Sequence, residues 1–139
     1  PAQSGAANGS RCWNWFRPED QCRDLGEPSI VAGITREVAL RYGADERRIF
    51  VAGMSAGAAM AVILGATYPD LFAAVGAHSG LAYRAARDMP TAFGAMHGRA
   101  SKAGIDSTAA AVPTNASTPS EWKRTVLRST RCTIAPNRR

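Results

Sequence analysis

Apolar residues fall at every fourth position from Ile30 through Ile34 and Val38 to Tyr42, the repeat of one helix face. The spacing predicts a helix that opens at Pro28, behind Glu27, and stops at Gly43. Its stripe, widened by Val31, is expected to be buried. A turn follows over Ala44-Asp45-Glu46-Arg47. The run from Arg48 to Gly53 is apolar without alternation, as in a short parallel strand covered on both faces. Residues 56–68 are apolar nearly all round, which predicts a buried helix. Tyr68-Pro69-Asp70 ends it, because proline disfavours helix in the residue before it. Phe72 to His78 reads as a second strand, and a short helix is expected around Thr91 to Gly98. Strand, helix, strand in that order predicts a right-handed βαβ unit in a parallel sheet, hence an α/β fold. Residues 1–26 are irregular and polar, with an aromatic knot at Trp13, Trp15 and Phe16.

The chemistry sits between the first strand and the buried helix. Gly53-Met54-Ser55-Ala56-Gly57 is a G-x-S-x-G pentapeptide in a strand–turn–helix context, the context of a nucleophile elbow. Glycines two positions either side of the serine let strand and helix close around it. Ser55 is the candidate nucleophile, exposed at a helix N-terminus, where backbone N–H groups favour a developing oxyanion. The N–H of Ala56 is the candidate oxyanion donor.

Charge changes the picture only near the end of the chain. Of the net +6, residues 1–113 contribute eleven Lys/Arg against ten Asp/Glu, while residues 114–139 carry six Lys/Arg and only Glu121. The sequence therefore divides into a domain over 1–113 and a basic, polar tail over 114–139 in which disorder or weak order is expected. A solvated tail is favoured over a nucleic-acid binder, because no aromatic platform accompanies the charges. No apolar stretch reaches membrane-spanning length, so no membrane helix is expected. The three cysteines, Cys12, Cys22 and Cys132, show no metal-ligand spacing, and the two histidines do not complete a zinc set. A Cys12–Cys22 bridge is open on spacing alone.

Several stretches together resemble the poly(3-hydroxybutyrate) depolymerase family of esterases. They are Cys12-Trp13-Asn14-Trp15-Phe16, Gly26-Glu27-Pro28, Val51 to Gly57, Ala66 to Ala74 and His78-Ser79-Gly80-Leu81, within about residues 1–113. The resemblance implies an α/β-hydrolase core: parallel strands flanked by helices, with the elbow serine as nucleophile. It also implies ester hydrolysis without a cofactor, and secretion. The implied substrates are hydroxyalkanoate polymers or oligomers, feruloyl-type esters or short acyl esters. Trp13 and Trp15 are candidate walls of a substrate cleft, although packing beside Phe16 is the favoured reading for large aromatics. Cys12 resembles a family cysteine that pairs upstream.

A serine needs a base to take its proton and an acid to orient that base. Family members supply these after a Val-Pro-Thr segment, and supply a second oxyanion donor from a His-Gly-Cys loop upstream of the knot. Here Val112-Pro113-Thr114 is followed by Asn115-Ala116-Ser117-Thr118, and no aspartate or histidine follows Asp106. The resemblance thus implies a chain cut short at both ends, and a change of reading frame near Thr114 is the expectation that sequencing the DNA would check. His78, at the end of the second strand, is expected to line the cleft or to be structural, and His97 to lie on the surface. Asp70 reads as a turn residue, and Asp88 and Asp106 as loop residues. The alternative to a working esterase is therefore an inactive fragment that lacks the triad acid and base. Two strands and one crossover also leave apolar edges and faces open, which predicts aggregation or a need for a covering partner.

Overall fold

The computed structural model describes residues 5, 6 and 8–98. The expected basic tail over 114–139, with Asp106 and Cys132, lies outside them. Helix α1 runs over Gly26–Tyr42, strand β1 over Phe50–Met54, helix α2 over Ala56–Thr67, strand β2 over Ala74–His78 and helix α3 over Met89–Met96. The strands pair in parallel, from Phe50 against Ala74 to Met54 against His78. Helix α2 is the crossover between them, as the strand–helix–strand order predicts.

Helix α2 is the centre of the core. Ala58 to Ala61, Ile63, Leu64, Gly65 and Thr67 are all buried. Its apolar composition on every side matches that position. Gly65 has a specific role, since a Cβ there would collide with the Val75 side chain of β2. Trp15, Phe16, Tyr68 and Phe72 complete the cluster around Met60, Ile63 and Leu64. Trp15 and Phe16 meet edge to face, with ring centroids 5.7 Å apart.

Helix α1 departs from expectation in which face it buries. Ile30 is 61 % and Tyr42 75 % exposed, and Ile34 and Val38 are exposed too, whereas Pro28 and Ala32 are buried. Ala32 lies two residues from Ile30 and from Ile34, about 200° round the helix. The small alanine faces the packed side, and nothing among the described residues covers the large aliphatic row. The helix also begins two residues before Pro28 and ends, as expected, at Gly43, which adopts φ 63°. The sheet is one-sided in the same way. Val51 and Val75 face α2, whereas Phe50 and Met54 are exposed on the other face. Among the described residues, the strands are therefore covered on one face, not on both.

The N-terminal segment is fastened to α1 by a polar staple. The Asn14 backbone N–H and its side-chain amide donate to the two Glu27 carboxylate oxygens at 2.7 and 2.9 Å. The Glu27 N–H in turn donates to buried Asp20 at 2.6 Å. Gly26 (φ 53°) is confined to glycine there, because a Cβ would strike the Asp20 carboxylate. Cys12 is a free, exposed thiol, so the Cys12–Cys22 bridge does not form.

Tyr68 closes the far end of α2. It is completely buried, and its ring carries Arg23 at 4.6 Å and Arg36 at 5.3 Å. Its hydroxyl accepts from the Asp24 N–H at 2.8 Å. Arg23 also grips Asp70 with two hydrogen bonds, at 2.6 and 3.0 Å. That bidentate contact holds the Asp70 carboxyl below the usual carboxylate range. A depressed native pKa stabilises the fold above the ordinary value of about 4, and the stabilisation is lost as pH falls through the native value. The melting temperature should therefore drop on acidification below about pH 4, and less so in Asp70→Asn. The pair is half exposed, so the difference is modest. Buried Asp20 has the opposite sign: desolvation raises its pKa, so its protonation favours the native state. Melting curves of both proteins between about pH 2 and 7 check the balance.

Candidate active site

Strand β1 ends at Met54 and helix α2 begins at Ala56, so a single residue makes the turn. That residue is Ser55, with φ 55° and ψ −122°. A non-glycine residue at this backbone position is strained by about 1–3 kcal/mol. Three hydrogen bonds hold it. The Ser55 N–H donates to the His78 carbonyl at 3.0 Å, and its own carbonyl accepts from Ala58 and Ala59 at 2.9 and 3.1 Å. The tight closure of strand on helix depends on Gly53, where a Cβ would overlap the Gly57 carbonyl. Gly57 contributes that carbonyl, while a Cβ of its own would meet open space. Space between strand and helix is thus demanded at one of the two elbow glycines.

The Ser55 side chain makes no capping bond to α2. It is exposed and lines a cleft of about 450 Å³. Ala56 lines the same cleft. The helix ladder begins with the N–H groups of Ala58 and Ala59, so those of Ala56 and Gly57 lie ahead of it at the positive end of the helix. Trp13, Trp15 and Phe16 line the cleft, as do Met89, Phe93 and Met96 of α3. Asn8, Ser10 and Ser79 add polar groups, and among the described residues no charged side chain lines it. Trp15 is at once a core residue and a cleft wall, so its packing and lining roles coincide. Among the described residues no group of three His, Cys, Asp or Glu side chains could hold a metal ion.

A family profile described as esterase PHB depolymerase matches residues 1–121. The chain belongs to this esterase family. Within it, the chain is 36 % identical over 111 residues to poly(3-hydroxyalkanoate) depolymerase C of Paucimonas lemoignei, covering 80 % of this chain and 26 % of that protein. It is 38 % identical over 81 residues to feruloyl esterase B of Neurospora crassa, which covers 57 % of this chain and 27 % of the relative. Among solved structures, the acetyl xylan esterase from Aspergillus awamori matches with a TM-score of 0.55 at 30 % identity, over 58 % of this chain and 30 % of that one. The chain thus spans about a quarter of the length of the curated relatives it matches. The fold of this PHB depolymerase family chain is α/β-hydrolase-like, with two parallel strands flanked by helices among the described residues.

The elbow places Ser55, Ala56, Trp13 and Trp15 around one cleft, but not His78. His78 pairs with Met54, and alternation along β2 puts its ring on the open face of the sheet, away from α2. There its Nδ1 lies 3.1 Å from Ser79 Oγ. What His78 gives the elbow is its carbonyl. His97 is exposed at the end of α3, with Nδ1 2.8 Å from the Phe93 carbonyl. Asp88 caps α3 through the Thr91 N–H at 2.8 Å, and Asp70 serves Arg23. Several cleft residues were not anticipated as such, among them Met89, Phe93 and Met96 of α3 and the pair Ser79 and Gly80. Ser79 lines the cleft at φ 54°, and Gly80 packs so closely on Ala58 that a Cβ would clash. The Ser-Gly pair directly after a strand is the turn signal that marks them.

Proposed function

We propose that this chain carries the nucleophile of a serine ester hydrolase, acting on hydroxyalkanoate polymers or oligomers, feruloyl-type esters or short acyl esters. The observation that carries the reading is Ser55, strained at the N-terminus of α2 and open to a cleft whose described lining residues are uncharged. In the reaction, Ser55 Oγ gives its proton to a base as it bonds to the ester carbonyl carbon. The carbonyl oxygen becomes an oxyanion and accepts from the Ala56 N–H; an oxyanion-hole donor is worth about 3–4 kcal/mol. Collapse breaks the bond to the alcohol, which takes the proton from the base. Water then hydrolyses the acyl-serine by the reverse sequence. No cofactor enters. By family, the protein is read as secreted, and no described helix is long and apolar enough to cross a membrane.

A second reading is favoured by the placement of the two histidines in the 139 residues. Neither is hydrogen-bonded to Ser55 among the described residues. In that reading the chain by itself is catalytically inactive for want of triad acid and base, and keeps only the elbow. One experiment separates the two. The purified chain is given p-nitrophenyl butyrate, then a fluorophosphonate, and the modified peptide is located by mass. Turnover with the phosphonyl group on Ser55 is the expected result. A label on another residue, with turnover intact, overturns the assignment. Folded protein with neither turnover nor label establishes the second reading.

A further inference from the structure

Helix α3 is packed inside out. Its small residues, Ala92 and Ala95, are buried, while Met89, Phe93 and Met96 are between 47 and 55 % exposed. The three large residues follow the i, i+4, i+7 spacing of one helix face, the face that an amphipathic helix ordinarily buries. Here all three line the Ser55 cleft, together with Trp13 and Trp15. The helix is not loosely held. Asp88 and Thr91 form a reciprocal capping box at its start, and Pro90 pre-sets its first turn. A fixed helix that offers its bulky apolar residues to a cleft is a built surface for an apolar ligand.

We propose that Met89, Phe93 and Met96 are the specificity wall of the cleft, seating the apolar part of an uncharged ester and selecting a bulky acyl group over acetyl. The proposal rests on the esterase reading of the same site. Three observations carry it. The cleft, at about 450 Å³, falls in the range that encloses a drug-sized molecule and is far larger than a two-carbon acyl group requires. Among the described residues its lining holds no charged side chain, in a chain of net charge +6, so these residues match neither a carboxylate nor an ammonium. The thioethers of Met89 and Met96 adapt to irregular aliphatic shapes, and with Phe93 and the two tryptophans they also contact aromatic rings well. Hydroxyalkanoate oligomers and feruloyl esters share this chemistry, being neutral esters with a bulky acyl part.

The test reads binding, so it does not depend on the nucleophile. Calorimetric titration of the Ser55→Ala chain uses a methyl-capped 3-hydroxybutyrate trimer, ethyl ferulate and methyl acetate. Either bulky ester should bind at least about tenfold tighter than methyl acetate, and Phe93→Ser or Met96→Ser should weaken it about tenfold. Because both side chains are half exposed, neither change should alter the melting temperature. Leu40→Ser, on the exposed side of α1, should bind as the parent does. Tight binding of the trimer alone assigns the wall to polyester, and of ethyl ferulate alone to aromatic acyl groups. Equal affinity for all three ligands, or bulky-ester binding untouched by both α3 changes, overturns the proposal. Loss of Ser55-dependent turnover in the parent chain would overturn the esterase reading instead.

Discussion

Ser55→Gly should give a more stable protein that hydrolyses no ester. The two effects come from the same dihedral. At φ 55° and ψ −122° a side chain bearing Cβ is strained, and glycine is not. Relief of about 1–3 kcal/mol is partly offset by the greater freedom of glycine in the unfolded chain, leaving a gain of about 1 kcal/mol. In a domain of this size that raises the melting temperature by about 4–8 °C. Activity falls by at least about three orders of magnitude, since no hydroxyl is left to form the acyl-enzyme. Ser55→Ala is the informative companion, losing the same activity while keeping the strain. Thermal melts and p-nitrophenyl butyrate turnover on the three proteins check both halves. If Ser55→Gly is less stable than Ser55→Ala, the turn is not under the tension its angles imply.

Tyr68→Ala should remove about 4 kcal/mol of stability, within the 3–5 kcal/mol that truncating a buried aromatic costs. The ring is completely buried against the core cluster, so its loss leaves a cavity at the end of α2. It also strands Arg23 and Arg36, which stack on it, and the Asp24 N–H, which donates to its hydroxyl. Marginal stability of about 5–15 kcal/mol makes this a large fraction of the total. Tyr68→Phe isolates the hydroxyl and should cost only about 1 kcal/mol. Urea unfolding of the three proteins gives both values, and a Tyr68→Ala loss below about 2 kcal/mol would show that the cavity collapses.

Legibility in the sequence followed from how local each cause is. Helix α2 was readable because it is apolar on every side, and β1 because its run ends in the G-x-S-x-G turn. The turn and the order of elements placed Ser55 and Ala56 together, since both follow from chain neighbours. The stripe on α1 was misjudged because periodicity identifies a face but not what lies opposite it. Ala32 carries the contact with the packed side, and an alanine adds little to an apolar pattern. Helix α3 begins two residues earlier than its pattern indicated, because the Asp88-x-x-Thr91 box and Pro90 fix its start. The staple from Asn14 to Glu27 joins residues thirteen apart across an irregular turn, where no period exists to reveal it. The side taken by His78 followed from strand parity: Gly53 pairs with Ala77 on the α2 face, so Met54 and His78 share the other.

The bond from the Ser55 N–H to the His78 carbonyl extends the β1–β2 ladder one step beyond its last pair. The serine is thereby held by a partner more than twenty residues away, on the far side of a complete helix. A peptide of the elbow alone would not keep its angles, and neither would a chain in which β2 had slipped or α2 had frayed. On the esterase reading proposed above, reactivity at this one hydroxyl would be a census of correctly threaded molecules. The fraction of a preparation that a serine-directed reagent modified would report how much of it had closed the crossover.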